Sequence, residues 1–303
     1  MSDDIPFDRS FDQGPGEVVQ VSPLVRRLVC GNGGPFTFTG TCTYLIGRGD
    51  VVVLDPGPAD AAHIAAIRAA TLGENIAAIL LSHTHMDHSP GAALLKALTG
   101  APLYGCGPHV AARELGLGEL NLLDASADRA YAPDYEMRDG DVLEMAGVRL
   151  KAVHTPGHTA NHLCFTLEQE GALFSGDHVM AWSTTIVAPP DGAMGDYMAS
   201  LDRLRRREER IYWPGHGGPV NEPQRFVRAL LHHRRAREAS ILRRLREGDR
   251  RIEEIVAKIY ENLDPRLRGA AALSVFAHLE ELVRQGLVAV HGAPKLDGIY
   301  QAA

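Results

Sequence analysis

Apolar and polar residues follow one another along the first half of the chain in patterns typical of strands separated by helices. Thr41 to Ile46 alternates with period two, a Gly-Arg-Gly-Asp turn follows, and Val51 to Leu54 is continuously apolar, which predicts a β-hairpin. The stretch ADAAHIAAIRAATLG has the apolar period of a helix, and Ile76 to Leu81 is again a short apolar run. This half therefore predicts strands with helical crossovers.

The second half repeats this pattern after Asp139. Successive strands are predicted by VRLKAVHTPGHT, NHLCFTL and ALFSGDHV, a helix by GDYMASLDRLRRR, and a last strand with its loop by RIYWPGHGG. Strands that alternate with helices in two comparable halves favour a layered α/β domain. We therefore assign the fold to the α/β class.

After Pro219 the pattern changes to that of long helices. One long helix is predicted from Glu222 onward, two shorter helical patterns follow, and LVAVHG and GIYQ can pair as a small ribbon. Three helices and a ribbon outline a winged helix, although a plain helical cap on the main domain is the simpler alternative. The sequence thus predicts a first domain over residues 1–221 and a C-terminal, winged-helix-like domain over residues 222–303.

The composition is that of a globular protein. The chain has 303 residues, of which 45% are hydrophobic, which suffices for a sizeable core. Its 4 cysteines form no C-x-x-C pair and its N-terminus is polar and acidic, so we expect a reduced, cytoplasmic protein. Because no apolar stretch approaches the roughly 20 residues that cross a bilayer, we expect no membrane insertion.

The charge distribution is only a weak indication of nucleic-acid binding. The chain has a formal net charge of -7, but residues 221–303 hold 15 basic and 11 acidic side chains, a net charge of +4. The helical stretch over residues 270–286 is largely apolar or acidic, whereas a helix that reads a DNA groove presents polar and basic side chains. If RNA is bound, the candidate phosphate contacts are on the predicted long helix: Arg234, Arg235, Arg243 and Arg244.

The sequence LLSHTHMDHSPGA packs three histidines and an aspartate into six positions directly after an apolar run. On an extended segment, residues two apart point the same way, so His83 and His85 can converge on one point. Asp87 and His88 lie where the chain bends, and they can face a second point. This is ligand spacing for two adjacent metal ions, the alternative being a polar turn whose histidines cap the following helix.

Three later segments each place a ligand-type residue in a glycine-bearing loop after an apolar strand. They are HTPGHT with His158, SGDHV with Asp177, and PGHGG with His216. A tight glycine loop lets one side chain project from the rim of a sheet. In this order and spacing, the four segments resemble the H-x-H-x-D-H motif, loop histidine, bridging aspartate and final histidine of the metallo-β-lactamase superfamily.

This resemblance implies an αββα sandwich with its metal ligands on loops at one edge. Transferred residue by residue, it also implies two ligand sets and a bridge: His83, His85 and His158 for the first ion, Asp87, His88 and His216 for the second, and Asp177 between them. Redox di-iron members have glutamate at the position of His85, and the commonest lactamases have cysteine at the position of Asp177. We therefore expect neither a redox role nor antibiotic hydrolysis as the main activity.

A closer resemblance is to the lactamase-like protein 2 family, through FTGTCTYLIG, HTPGHTANHL, FSGDHV, STTIV, DYMASL and the predicted winged helix. That family includes an endoribonuclease acting on single-stranded RNA and relatives that hydrolyse carrier-protein thioesters. The resemblance implies a dinuclear hydrolase that cleaves either a phosphodiester bond of single-stranded RNA or an acyl thioester or related ester of a small molecule or acyl carrier. The alternatives are a glyoxalase II-like hydroxyacylglutathione hydrolase and a non-enzymatic, nucleic-acid-binding winged-helix protein with a structural metal site. The oligomeric state is left open.

The ligand types favour two Zn²⁺ ions, with Mn²⁺ or Fe²⁺ as alternatives. Two ions roughly 3.5 to 4 Å apart can share a water molecule and lower its pKa, which supplies a hydroxide nucleophile at neutral pH. The expected catalytic carboxylates are Asp87, which would orient that hydroxide, and Asp177, which would bridge the ions.

Several residues near these motifs are candidates for supporting roles. His154 and His162 flank the predicted loop ligand and are candidates to hydrogen-bond a ligand, with simple packing as the alternative. Asp55 ends a strand in a Pro-Gly loop, where we expect it to orient a ligand histidine. Cys42 stands where members of the closer family usually have asparagine, and His178 directly follows the predicted bridging aspartate.

Overall fold

A computed structural model describes residues 5–115, 126–261 and 263–303. Its first β-sheet has seven strands in chain order: β1 Val19–Ser22, β2 Val25–Val29, β3 Cys42–Arg48, β4 Asp50–Leu54, β5 Asn75–Leu81, β6 Leu103–Gly105 and β7 Tyr135–Glu136. Strands β1 to β4 pair antiparallel, and β4 to β7 pair in parallel. The parallel crossovers contain helices α1 (Ala61–Ala70) and α2 (Gly91–Thr99), which confirms the predicted alternation.

The second β-sheet has five strands: β8 Val142–Met145, β9 Val148–His154, β10 Leu163–Leu167, β11 Ala172–Gly176 and β12 Ile211–Pro214. Their order is β12-β11-β10-β9-β8, and only β11 and β12 of this sheet pair in parallel. Helix α3 (Met194–Leu204) lies between these two strands in the chain, because a parallel pair needs a crossover.

The two sheets pack face to face between two layers of helices. Side chains of the first sheet such as Leu45 and Ile79 share one buried cluster with Leu150 and Phe165 of the second sheet. Helices α1 and α2 contribute to this cluster, whereas α3 covers the outer face of the second sheet through residues such as Tyr197. This arrangement is the αββα sandwich that the resemblance implied.

The C-terminal part forms the expected winged helix. Its elements are α4 Pro223–Arg246, α5 Ile252–Ile259, a 3₁₀ turn Pro265–Leu267, α6 Arg268–Arg284, β13 Val288–Val290 and β14 Tyr300–Ala302. Strands β13 and β14 pair antiparallel as the predicted ribbon, and the helices enclose a separate buried cluster with them. No helix among the described residues has the length and apolar character needed to span a membrane.

Helix α4 contributes to two hydrophobic cores. Its first half places Phe226 and Leu230 against α3 and the second sheet, and its second half places Ile241 and Leu245 in the core of the winged helix. These side chains recur at helical spacing, so one face of a single helix serves both cores. The predicted domain boundary between residues 221 and 222 stays a prediction. Helix α4, which follows this boundary, packs in both hydrophobic cores.

The structure changes the interpretation of two arginines on α4. Arg234 is 3% exposed and lies inside the protein, so it cannot contact a bound RNA. Arg244 forms ion pairs with Glu247 and Asp249, which directly follow the end of α4. Of the four arginines that were candidates for phosphate contacts, only Arg235 and Arg243 are exposed.

Candidate metal centre

The seven predicted ligand residues converge on loops that follow strands of both sheets. The loop after β5 carries His83, His85, Asp87 and His88, and the loops after β9, β11 and β12 carry His158, Asp177 and His216. Most of these residues are buried, whereas the side chain of Asp87 is 28% exposed. Asp87 therefore lies on the solvent side of the cluster.

Three imidazoles form the first group. His83 Nε2 lies 3.2 Å from His85 Nδ1, which lies 2.9 Å from His158 Nε2. The Ser82 hydroxyl donates to Asp55, so its oxygen accepts from His83 Nδ1–H and leaves His83 Nε2 with a lone pair. His158 Nδ1–H donates to the carbonyl of Ile186, which leaves His158 Nε2 free in the same way.

Two imidazoles and two carboxylates form the second group. His88 Nε2 lies 3.3 Å from His216 Nε2, and Asp87 Oδ2 lies 3.1 Å from the same atom of His216. Asp177 lies between the two groups, with Oδ1 3.4 Å from His88 Nε2 and Oδ2 3.6 Å from His158 Nε2. Its carboxylate can therefore contact both groups at once.

Burial keeps the first group neutral. Burial, together with neighbouring imidazoles, lowers the pKa of His85 to about 3 and that of His83 well below its usual value. The pKa of His158 is also lowered, mainly by burial. At neutral pH this group thus presents uncharged nitrogens to one another.

The carboxylates have the opposite effect on the second group. Burial alone would lower the pKa of His88, but the charges of Asp87 and Asp177 raise it to about 10. The same carboxylates outweigh burial at His216, whose pKa is raised well above its usual value. In return, these imidazoles hold the pKa of Asp87 and of Asp177 below the usual range despite burial.

These donor sets fit divalent metal ions. Neutral His85 has a single ring N–H, so at most one of its Nδ1 contacts, 3.2 Å to His83 Nε2 and 2.9 Å to His158 Nε2, can be a hydrogen bond, whereas a cation among the three nitrogens would satisfy all of them. Among the residues that the structure describes, the buried oxygen Asp177 Oδ1 has no hydrogen-bond partner, as expected for an atom that would bind a metal ion. Imidazole and carboxylate groups suit Zn²⁺, Mn²⁺ and Fe²⁺.

Two further residues orient members of the cluster. Asp55 Oδ2 accepts from His88 Nδ1–H at 3.2 Å, in agreement with the role predicted for this aspartate. His162 Nε2 accepts the backbone N–H of Asp177 at 3.2 Å, and its Nδ1 lies 2.9 Å from Thr155 Oγ1. His154 instead donates to the carbonyl of Ala160, away from the cluster. The structure thus separates two histidines that the sequence could not distinguish.

The two unusual positions, Cys42 and His178, are both buried beside the cluster. The backbone N–H of Cys42 donates to the carbonyl of Gly215, so this residue supports the loop that carries His216. The ring of His178 packs on that of Tyr197, with 4.6 Å between the ring centres, and among the described residues neither of its ring nitrogens has a hydrogen-bond partner. Neither side chain joins either candidate ligand group.

Sequence reasoning considered Arg234 only as a phosphate contact and missed its contact with the loop after β11. Its guanidinium donates to the carbonyl of Thr185, next in the chain to Ile186. One signal was present in the sequence: Arg234 follows Val227, Leu230 and Leu231 in the apolar stripe of the helix, at spacings of seven, four and three. A charged residue in such a stripe is expected to be buried or to interrupt the packing.

Comparisons with known proteins agree with this architecture. The sequence matches the family model of the Metallo-beta-lactamase superfamily over residues 36–216 and that of the Beta-lactamase associated winged helix domain over residues 252–296. It is 30% identical over 292 residues to an atrochrysone carboxyl ACP thioesterase of Aspergillus terreus, covering 90% of this chain and 83% of the relative. It is 28% identical over 290 residues to the Beta-lactamase-like protein 2 homolog of Caenorhabditis elegans, covering 89% and 88%.

Solved structures show the same fold over nearly the whole chain. A metallo-beta-lactamase family protein from Thermus thermophilus superposes with a TM-score of 0.76 and 26% identity, covering 94% of this chain and 100% of that one. A beta-lactamase domain protein from Burkholderia ambifaria gives a TM-score of 0.78 at 21% identity, covering 98% and 97%.

Proposed function

The chain belongs to the metallo-β-lactamase superfamily, and from that we propose that this hydrolase uses two metal ions to cleave an acyl thioester, carried by an acyl carrier protein or a related small thiol. One observation carries the dinuclear proposal: two convergent ligand groups share the carboxylate of Asp177. The substrate class is supported by the relatives named as acyl carrier protein thioesterases.

In this proposal His83, His85 and His158 would hold the first ion, Asp87, His88 and His216 would hold the second, and Asp177 would contribute to both. We propose Zn²⁺ for both positions, since a set of imidazoles with a few carboxylates suits it, with Mn²⁺ and Fe²⁺ as the alternatives. When bound, such ions polarise a carbonyl oxygen and lower the pKa of water.

The side chains of the protein orient and exclude water around that chemistry. The side chain of Asp87 is partly exposed, so its carboxylate faces the side from which substrate and water arrive. We assign to it the orientation of the attacking water through one carboxylate oxygen. The other candidate ligands are largely buried, which keeps bulk water from competing for their nitrogen and oxygen atoms.

RNA is the weaker substrate candidate. Of the arginines that could contact phosphates, Arg234 is buried and Arg244 is engaged with acidic neighbours, so the helix offers fewer free cations than its sequence indicates. We also propose that residues 1–221 supply the chemistry and residues 222–303 contribute to substrate selection, because all seven candidate ligands precede residue 221.

The test is an activity panel on protein reconstituted with Zn²⁺, Mn²⁺ or Fe²⁺ in separate preparations. The substrates are an acylated carrier protein, an acyl-CoA, S-lactoylglutathione, single-stranded RNA and a cephalosporin, each also incubated with chelator-treated protein as a control. We expect the acyl thioesters to have the highest kcat/KM and the chelator to abolish it. Faster cleavage of RNA, with a rate that falls steeply as salt is added, would overturn the thioesterase proposal. If S-lactoylglutathione has the highest kcat/KM, the substrate is a glutathione thioester and not a carrier-protein thioester.

A further inference from the structure

Arg234 is a buried cation whose hydrogen bonds go to neutral oxygen atoms. Its guanidinium donates to the carbonyl of Thr185 and, at 3.3 Å, to the hydroxyl of Ser274 on α6. It lies 5.1 Å above the ring of Tyr197 on α3. Among the described residues, no carboxylate is close enough to form an ion pair with it, and its Nε has no partner. This one side chain therefore connects three helices with the loop after β11.

Such a residue is a poor choice if packing is its only role. An arginine keeps its charge at any accessible pH, and burying that charge without an anionic partner costs free energy. An apolar side chain of similar volume would fill the same space between α3, α4 and α6 at lower cost. The groups that Arg234 holds in place must therefore explain its presence.

Those groups lead directly to the candidate ligands. The hydroxyl of Thr185 donates to the carbonyl of Asp177 at 2.6 Å and lies 3.0 Å from that of His178. The next residue, Ile186, accepts from His158 Nδ1–H at 2.7 Å. The segment that Arg234 contacts is thus hydrogen-bonded to the backbone of Asp177 through Thr185 and to the ring of His158 through Ile186.

From these contacts we infer that Arg234 is a positioning residue for the metal centre. It fixes the segment around Thr185 so that Asp177 stays between the two ligand groups and His158 stays within the first. This inference rests on the dinuclear centre proposed above. It also gives the C-terminal helix α4 a part in the chemistry of the sandwich, although no ligand lies on that helix.

The experiment compares Arg234→Met, Arg234→Lys and, as a matched control, Arg235→Met, which removes an exposed arginine at the next position of the same helix. Metal affinity is measured by competition with a chromophoric chelator, and ligand geometry by the visible absorption spectrum of Co²⁺-loaded protein. We expect Arg234→Met to weaken binding of at least one ion about tenfold or more, a size usual for residues that orient ligands. Its Co²⁺ spectrum should change as well, and kcat for a small acyl thioester should fall more than KM rises.

The two other variants separate positioning from packing. Arg234→Lys keeps a charge that reaches the Thr185 carbonyl but loses the fork, so we expect metal affinity between those of wild type and Arg234→Met. Arg235→Met should match wild type in metal affinity, spectrum and kcat. Wild-type affinity, spectrum and kcat in Arg234→Met would overturn the inference, even if its melting temperature were lower.

A variant at the other end of the contact keeps the test decisive if Arg234→Met fails to fold. Thr185→Val preserves volume and removes the hydroxyl that holds the carbonyls of Asp177 and His178, so it should reproduce the loss of metal affinity. Wild-type affinity in Thr185→Val would then count against the inference. His158→Ala distinguishes the two proposals. If this variant binds as many metal ions as wild type, the dinuclear centre fails. If it binds fewer ions while the Arg234 variants bind metal as wild type does, only the positioning role is refuted.

Discussion

Asp177 is the residue on which the two halves of the candidate centre depend. Its carboxylate lies within 3.6 Å of imidazoles from both ligand groups, and its backbone is held on two sides, by His162 and by Thr185. Both oxygens face imidazole nitrogen atoms, so the single negative charge of this carboxylate is shared between the two groups. The dinuclear proposal therefore makes a direct statement about this side chain.

We expect Asp177→Asn to lower kcat by about two orders of magnitude or more while the protein stays folded. The amide has the size of the carboxylate but lacks its charge, so the shared anion between the groups is lost. Metal content by elemental analysis should fall from about two ions per chain toward one. Unchanged turnover with two ions retained would rule out a bridging role, and a normal far-ultraviolet circular dichroism spectrum is the control for folding.

His162 and His154 give a matched pair of substitutions. Replacing His162 by Phe removes the acceptor for the Asp177 backbone N–H, and we expect metal affinity to fall about 10- to 100-fold. The same change at His154, whose partner is the carbonyl of Ala160, should leave metal affinity within about twofold of wild type. Chelator competition measures both. Equal effects in the two variants would contradict the distinction that the structure draws.

The candidate ligands could be predicted from the sequence because their spacing is local. His83, His85, Asp87 and His88 lie in one turn, and the other three each follow an apolar strand with a glycine beside them. The orienting residues could not be predicted in this way. His162 and His154 have the same local setting, and only the pairing of β9 with β10 decides which ring meets Asp177.

At the scale of elements, short loops after the strands determine where the ligand side chains lie. The loop after β9 turns at Gly157, where φ is 135° and a Cβ atom would lie 2.3 Å from the Cα of Tyr197 on α3. The loop thus packs directly on the helix backbone, immediately before His158. No other residue type fits there without moving either the loop or the helix.

We expect Gly157→Ala to reduce the free energy of unfolding by about 3 kcal/mol or more, because backbone strain and a backbone clash add. Metal affinity should fall with it, since His158 is the next residue. Gly140→Ala is the control: φ is 86° there, but no atom of the described residues lies within 4 Å of the added atom, so only the strain of about 1 kcal/mol remains. Urea unfolding measures both. A smaller effect at Gly157 than at Gly140 would contradict this account.

The elements themselves were largely predictable, and the environment of α4 was not. Period-two and helical patterns indicated the hairpin, the crossovers and the three C-terminal helices, because those patterns are set by the element that the residues form. Which side of α4 meets which neighbour depends on tertiary packing. Arg234 and Arg235 are adjacent in a basic stretch, yet one is inside the protein and the other in solvent.

At the scale of the whole molecule, α4 links the sandwich to the winged helix. Its first half fills the core beside α3 with Phe226, Val227, Leu230 and Leu231, and its second half fills the next core. The sandwich is therefore incomplete without the first half of this helix. That fact affects where the chain can be shortened.

We expect a chain that ends at Asn221 to aggregate or to lose cooperative unfolding, because it exposes the apolar face that α4 covers. A chain that ends at Gly248 keeps this cover and should retain more soluble, folded protein. Size-exclusion chromatography and thermal unfolding of the two proteins measure the difference. Equal solubility and equal melting curves would mean that α4 belongs with the winged helix alone.

The candidate ligands come from both sheets, and the interval from His83 to His216 covers most of the sandwich. In polymer terms, bound ions would act as a reversible cross-link that closes a very long loop, and a long loop has a high closure entropy. Such a link can form only after both sheets have met, so it should be absent from the folding transition state. We therefore expect a chelator to speed unfolding in denaturant about tenfold or more and to leave the refolding rate within about twofold. Stopped-flow fluorescence measures both rates, and an effect confined to refolding would mean that the ions nucleate the fold instead of closing it.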